Sequence, residues 1–556
     1  MDVQAPRLIR PGLEGKLQAE AGFWAFMALP TPLLDALTLF GGKHVGAGTH
    51  ASLEKYSEFV RKELEPVAWE VDRHNRPYLQ AHDTLGGDID EIVLGAGHRR
   101  VLKEMYASGI ASHPVEGKHP WSHSFTLGYL TTDVGLFCSA TVTMATTFSV
   151  GKYGSEAVKA KFLPRLLEGG AVRQGATWAT EAQGGSDLGA NVARARPAEN
   201  GMFHLTGEKY FCSNVGAEFA VVTARPEGAP HGARGIRLFL VPDRRTDGKA
   251  NWRIRRLKEK LGTTAVPTGE VSLIESEGYL LGDPSEGIHP TMEMLNLSRI
   301  CNSLGSAAQI QRAFELALEH VEKRHAFGRR LRDHPLMAQD LARLAAFAEA
   351  STLLAFDPVF AFNEVWKEQV PYSPAYHLMR FATHAAKLLT AEQAVRECPL
   401  AMEILGGPGY LEEYPMSKLV RDALVTPVWE GGANVQALDA LEVSAKSHPE
   451  ETWRKDANWS LNHAESEVTR RALECRLKVL SADSKDPLHS AKVRLRMWGE
   501  LRELTLMFRF VAHAKATDAA AAGRMQALAE VLALSLDGTD GEGLPSALVE
   551  SALAGH

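Results

Sequence analysis

Phe219-Ala220-Val221-Val222-Thr223 and Ile236-Arg237-Leu238-Phe239-Leu240-Val241 are short runs of β-branched and aromatic residues bounded by Gly, Pro and Asn. Such runs read as strands. Phe203-His204-Leu205-Thr206 before them and Val271-Ser272-Leu273-Ile274 after them share that character, so a β domain is expected between about Gln174 and Glu277. On both sides the pattern is helical. Leu53 to Trp69 and His98 to Ala107 are helix-like stretches separated by Gly and Pro loops. Beyond Pro290, residues Ile310, Phe314, Ala317 and Val321 recur at spacings that share one helix face. Further helices are expected at Pro335 to Phe356, Pro374 to Cys398 and Asn434 to Lys446, then in a tail with an Ala-rich segment near Thr517 to Leu534 and a Gly-rich end at Gly538 to Gly543. This order is unlike alternating βαβ units and a Rossmann sheet. The expected fold is mainly α with a central β domain: an N-terminal helical domain over 1–168, a β-barrel-like domain over 169–288, a helical bundle over 289–446 and an additional C-terminal helical domain over 447–556.

Composition narrows the function classes. The 556 residues are 45% hydrophobic and 23% charged, as in folded soluble chains. With 61 basic and 68 acidic residues the net charge is -7, so a nucleic-acid site has to be a local patch. Five scattered cysteines without a C-x-x-C pair suggest neither a disulfide framework nor a zinc knuckle, and a reducing, cytoplasmic compartment is expected. Met1 to Arg7 lacks a leader pattern, and Phe23 to Leu34 is interrupted by Pro30 and Pro32. No membrane span is expected, since the apolar run from Tyr129 to Met144 carries Asp133, several Thr and Gly135. P-loop, Rossmann, zincin and nucleophile-elbow motifs are missing. The 21 His are dispersed, and pairs such as His44/His50 and His320/His325 have no companion ligands, so no metal site is expected.

Four segments combine small residues, which let a ligand approach the backbone, with polar groups able to hold phosphates or a planar ring. Thr177-Trp178-Ala179-Thr180-Glu181-Ala182-Gln183-Gly184-Gly185-Ser186-Asp187 is a Gly-rich turn, which a plain hairpin would also explain. In Gly207-Glu208-Lys209-Tyr210-Phe211-Cys212-Ser213-Asn214, Phe211 and Ser213 share one strand face, although core packing and a turn would account for them too. Arg324-His325-Ala326-Phe327-Gly328 lies at a helix end, where Gly328 can stop the helix and Arg324 can complement its dipole. The last segment runs Glu403-Ile404-Leu405-Gly406-Gly407-Pro408-Gly409-Tyr410, then Arg421-Asp422, then Val428-Trp429-Glu430-Gly431-Gly432-Ala433-Asn434. There Glu430, between an aromatic and two glycines, is either a desolvated base with a raised pKa or a carboxylate at a helix N-terminus.

The order and spacing of T-E-x-x-x-G-S-D, G-x-K-x-x-x-S-N, R-x-x-F-G, G-G-x-G-Y and W-E-G-x-x-N, across roughly residues 95 to 441, resemble the acyl-CoA dehydrogenase family. That resemblance implies dimers or tetramers with one FAD per subunit. It places Thr177, Trp178, Thr180, Gly185, Ser186, Phe211, Cys212 and Ser213 around the flavin ring, with Phe211 against its face and Ser213 near N5. Arg324 and Phe327 would meet the FAD of a neighbouring subunit, and Gly406 and Gly407 would let the backbone approach that cofactor. Trp429, Gly432 and Asn434 complete the implied cofactor set with Glu403; Glu403 and Gly432 stand where family members commonly have Gln and Thr, which removes two contacts. The implied reaction is α,β-dehydrogenation of an acyl-CoA thioester. Glu430 matches the commonest base position. Ser298 occupies the alternative base position before Arg299, which excludes it as a base there; Ser186 and Arg299 are the implied substrate contacts, Arg299 toward the CoA part. The electron acceptor is left open.

Gly135 to Met144, the Gln183-Gly184-Gly185 variant, Phe211 with Ser213, Met402-Glu403 and the extra C-terminal segment resemble a DNA-associated, adaptive-response branch of the family, which protects against alkylation damage. Residues 465 to 515 carry eleven basic and seven acidic residues, a surplus of four, with Arg494 and Arg496 as candidate contacts to double-stranded DNA. A salt-bridged helical face explains that surplus equally well. An acyl-CoA or nitroalkane-type oxidase is the third reading.

Overall fold

The computed structural model describes residues 29–41, 47–168, 173–482, 484–538 and 543–555. The readings made on Met1 to Arg7, Phe23, His44, Asp483 and residues 539–542 lie outside the described residues. In chain order come helices α1 (Thr31–Phe40), α2 (Ala47–Phe59), a π turn (Val60–Leu64) and α3 (Glu65–Arg73), a hairpin of β1 (Tyr78–His82) and β2 (Asp88–Val93), then α4 (Ala96–Ala107), α5 (His113–Glu116), α6 (Trp121–Thr131), α7 (Val134–Tyr153) and α8 (Glu156–Leu167). The β1–β2 hairpin corrects the all-helical reading of this region. Its residues show no run of β-branched side chains, and it is fastened from outside by Arg253, whose guanidinium binds Asp88 and Asp90 at 2.7 Å each.

Seven strands follow: β3 (Gly175–Trp178), β4 (Arg194–Pro197), β5 (Met202–Ser213), β6 (Phe219–Pro226), β7 (Arg237–Pro242), β8 (Arg253–Leu257) and β9 (Thr268–Leu281). The path β6–β4–β5–β9–β7 closes back on β6, with β3 added to β6 and β8 to β9. Closure leaves few unpaired edges. The interior is filled from alternate positions, with Trp178 edge-to-face on Trp252 at 4.9 Å. Strands β4 and β8 escape a sequence reading because Arg194-Ala195-Arg196-Pro197 and Arg253-Ile254-Arg255-Arg256-Leu257 turn charged side chains outward.

The chain then forms α9 (His289–Lys323), a two-residue-per-strand hairpin of β10 (His325–Ala326) and β11 (Arg329–Arg330), α10 (Pro335–Val365), α11 (Pro374–Leu405), α12 (Gly407–Tyr410), α13 (Pro415–Ala423) and α14 (Ala433–Ser447). Helices α15 (Glu450–His463), α16 (Glu467–Ser481), α17 (Pro487–Ala514), α18 (Ala519–Asp537) and α19 (Ser546–Ala552) complete it. Both α7 and α10 are long and apolar enough to cross a membrane, yet 94% and 83% of their most apolar windows are buried inside the fold. They are core helices. Asp133 starts α7, its carboxylate accepting the Leu136 N–H at 2.8 Å.

Polar pairs bind the last helices to the bundle. Arg502 grips Asp357 at 2.7 Å, Arg524 meets both Glu349 and Asp35, and Glu503 accepts from Gln393 Nε2 at 2.8 Å. Among the described residues the other Glu503 oxygen has no partner, and burial pushes that carboxyl up to about 8. A carboxyl raised on folding binds its proton more tightly in the native state. Its contribution is therefore complete below the unfolded pKa and is lost as the pH rises toward about 8. Glu503→Gln, which keeps the shape without the titration, is expected to raise stability by on the order of 2 kcal/mol above pH 8 and to flatten the decline between about pH 5 and 8. Thermal unfolding across that range measures it.

Candidate functional site

A cleft opens between α7 and α9, lined by Phe137 and Cys138 on one side, Cys301 and Asn302 on the other, and closed by Trp429 and Glu430. The Trp429 Nε1–H donates to Asn302 Oδ1 at 3.1 Å, and Asn302 Nδ2 donates to the Thr426 carbonyl at 2.9 Å, so the loop carrying Glu430 is tied to α9. Glu430 itself is in the left-handed region at φ 58°, followed by Gly431 at φ 91°. It precedes the helix cap Gly432 by two residues and so stands outside the first turn of α14. Its carbonyl accepts from Arg299 Nε at 3.1 Å and Gln436 Nε2 at 3.0 Å. Among the described residues, its own N–H finds no acceptor. Burial raises the Glu430 carboxyl above the ordinary carboxylate range, while the Arg299 and then the Lys387 charges pull it back.

Arg299 departs from the sequence expectation of a contact to the CoA part. It is 2% exposed, pairs with Asp439 at 2.8 Å and lies behind the Glu430 turn. A guanidinium so enclosed positions the turn and has no surface for a large polar ligand. Lys387, Gln436 and Cys138 are site residues without a distinctive sequence signal, because each is a single polar or thiol side chain within a helix.

The Cys138 thiol neighbours the Ser213 hydroxyl, which brings the end of β5 to the cleft. Register slips between Lys209 and Cys212 against β9, a bulge that turns Phe211 out to 55% exposure. Phe211 and Ser213 thus share the open face, as expected. Cys212 is fully buried on the opposite face, and Trp178 is buried against Trp252 with its Nε1–H donating to the Ser213 carbonyl at 3.2 Å. Both corrections have one cause: alternation in a closed sheet sends these side chains to the barrel interior, leaving only their backbone near the open face. Thr177 and Thr180 are partly open, and Gly185 and Ser186 are exposed in the turn. A Cβ at residue 185 would come within 2.6 Å of Thr180 Oγ1, so any larger residue there forces the Thr180 side chain to shift.

The two motifs on this side are joined by an ion pair. Glu181 and Lys209 meet at 2.8 Å with both side chains buried, and Glu181 also accepts the Val192 and Ala193 N–H groups. Burial pulls the Lys209 ammonium down and Glu181 holds it up. Asn214, at φ 55°, donates to the Gly175 carbonyl at 2.9 Å.

The remaining expected residues fall on three surfaces. Helix α9 ends at Lys323, and Gly328 does not stop it: Phe327 at φ 51° and Gly328 at φ 82° are the paired left-handed residues of the tight β10–β11 turn. Phe327 is 96% exposed at its tip, with Arg324 exposed nearby in sequence. Glu403, Gly406 and Gly407 are exposed at the end of α11, and Asn434 is exposed in the first turn of α14, with Trp429 and Gly432 partly buried. A Cβ on Gly407 would meet nothing within 4 Å, so internal packing does not demand glycine there. Arg494 donates to the carbonyls of Val479, Leu480 and Ala482 at the end of α16, and Arg496 holds Glu392 with two bonds at 2.7 and 2.9 Å. Both arginines expected to face DNA are therefore committed to intramolecular partners.

Family profiles described as acyl-CoA dehydrogenase, middle domain, and acyl-CoA dehydrogenase, C-terminal domain, match residues 176–275 and 285–444. The chain is 37% identical over 268 residues to the putative acyl-CoA dehydrogenase AidB of Escherichia coli (strain K12), a match covering 48% of each chain. It thus spans about half of that relative's length. It is 30% identical over 307 residues to glutaryl-CoA dehydrogenase of Desulfococcus multivorans, covering 53% of this chain and 74% of that protein. The structure of Caenorhabditis elegans ACDH-11 in complex with C11-CoA superposes with a TM-score of 0.79 at 25% identity over 91% of both chains.

Lys209→Met strands the buried Glu181 carboxylate without its cation and is expected to cost about 3–5 kcal/mol. Thermal unfolding of the variant, compared with Lys209→Arg, tests this; an unchanged midpoint in Lys209→Met contradicts it.

Proposed function

Because this chain belongs to the acyl-CoA dehydrogenase family, we propose that it is an FAD-dependent oxidoreductase that removes hydrogen from the α- and β-carbons of an acyl-CoA thioester, with Glu430 as the base. The observation that carries this reading is the meeting of two sequence-distant groups at one cleft. A desolvated carboxylate, Glu430, lines it, and Cys138 on its wall adjoins Ser213 of the β domain. Glutaryl-CoA dehydrogenase and the C11-CoA complex of ACDH-11 support a CoA thioester as the substrate class.

The residues present fit FAD. Phe211 offers an exposed aromatic face beside the Ser213 hydroxyl, on the strand face shared with the Thr177 to Ser186 turn. The backbone at Gly406 and Gly407 is open to a close approach that a Cβ would obstruct. Arg324 and Phe327, exposed on a hairpin, are suited to a second subunit's cofactor, the guanidinium neutralising pyrophosphate. When bound, FAD supplies the acceptor for the hydride leaving the β-carbon.

The chain's own groups do the rest. Glu430 takes the α-proton, and its backbone N–H, which finds no acceptor among the described residues, is a donor for the thioester oxygen as charge develops there. Phe137, Cys301 and Trp429 exclude water, which strengthens both effects. The raised Glu430 pKa sets the pH dependence: the ionised, competent base is lost as pH falls through that value, so the acidic limb of the rate profile sits above the ordinary carboxylate range.

Anaerobic titration of the FAD-loaded protein with straight and branched acyl-CoAs, read by loss of oxidised flavin absorbance, tests the reading. Bleaching by at least one is expected. Glu430→Gln is expected to keep its flavin and to slow bleaching by about 10²- to 10⁴-fold. No bleaching by any acyl-CoA, or undiminished bleaching in Glu430→Gln, sinks the assignment.

A further inference from the structure

The Glu430 turn is held by three helices, and one of its donors is more than a hydrogen bond requires. Lys387 on α11 is 1% exposed, and its Nζ donates to the carbonyls of Pro427 at 3.2 Å and Gly431 at 2.8 Å, which flank Glu430 in sequence. Those acceptors are neutral. An uncharged amide would satisfy them at a lower desolvation cost than a buried ammonium. The neighbouring cation, Arg299, is compensated by Asp439, and Glu392 is compensated by Arg496. Among the described residues, this leaves Glu430 as the carboxylate whose charge acts on Lys387 and that has no ion-pair partner of its own.

We propose that Lys387 is a positioning residue for the base: it clamps both ends of the Glu430 turn and, together with Arg299, supplies positive charge that favours the ionised Glu430 carboxylate in a water-poor cleft. The inference rests on Glu430 being the base. The titratable and charged groups around the pair are Arg299 on α9, Asp439 on α14, Glu392 and His384 on α11, and the thiols Cys138 and Cys301 across the cleft. Burial holds both thiols above their ordinary range and His384 well below its own, so all three are uncharged at neutral pH. His384 Nδ1 lies 2.9 Å from Gln436 Oε1, fixing the amide that donates to the Glu430 and Gly431 carbonyls. Burial lowers Lys387 to about 8, with Glu430 opposing that shift, so its charge is present at neutral pH and lost above that value.

Lys387→Gln keeps a donor and removes the charge; Lys387→Arg keeps the charge. In the FAD-loaded enzyme, the pH profile of anaerobic flavin reduction by acyl-CoA separates them. The acidic limb is expected to move up by about one pH unit in Lys387→Gln, an approximately tenfold slower reduction below the limb, and to stay in place in Lys387→Arg. A limb unmoved in Lys387→Gln overturns the proposal. A second readout is independent of turnover: a double-mutant cycle of Lys387→Gln with Glu430→Gln, followed by thermal unfolding between about pH 5 and 9. Coupling that grows as Glu430 ionises supports the proposal, and coupling that is flat with pH overturns it. Full reduction in Glu430→Gln with a shifted unfolding cycle would instead place the fault with the base assignment.

Discussion

A backbone turn in the left-handed region cannot be buried unless its carbonyls find donors. At Glu430 and Gly431 those donors come from three different helices: Arg299 of α9, Lys387 of α11 and Gln436 of α14. Gln436 lies only five and six residues beyond the turn, but Arg299 and Lys387 reach it from helices distant in sequence. The turn therefore keeps its shape only when the bundle is assembled, and the bundle in turn fixes where the carboxylate points. The φ of 58° at Glu430, which unlike Gly431 carries a side chain, stores local strain that the surrounding helices have to hold.

The same logic extends to the rest of the molecule through buried charge. Arg61 and Arg312 interlock with Glu65 and Glu315, and Lys418 bridges Asp133 and Asp422. Arg524 joins Asp35 near one end of the chain to Glu349 in the bundle. Such pairs are weak as net stabilisers and expensive to break, so they act chiefly to select one arrangement of segments. Glu181 with Lys209 does this within the β domain, holding the open turn that follows β3 against β5.

Several particulars were legible in the sequence. Periodicity gave the face of α9 that carries Ile310, Phe314, Ala317 and Val321, all buried, and alternation gave the shared open face of Phe211 and Ser213. Other features were not. Gly328 read as a helix stop because glycine after a periodic run usually is one, whereas the two left-handed residues there form a hairpin turn. Trp178 and Cys212 read as cofactor neighbours because the motif contains them, yet strand alternation turns their side chains inward. Arg299 was a substrate contact that the family resemblance implied, whereas the fold encloses it between Asp439 and the Glu430 carbonyl, and nothing along the chain marks that enclosure.

Local pattern determined what each segment is: helical period on either side of short β-branched runs, glycines at the turns, and five spaced motifs in a fixed order. These follow from backbone preference and side-chain size, which act over a few residues. Tertiary structure decided which polar groups are buried and with whom. Desolvation and ion pairing depend on atoms hundreds of residues apart, as when Cys138 of α7, Ser213 of β5 and Glu430 after α13 come to one cleft. No pattern along the chain encodes that distance, and the proton affinity of Glu430 depends on it.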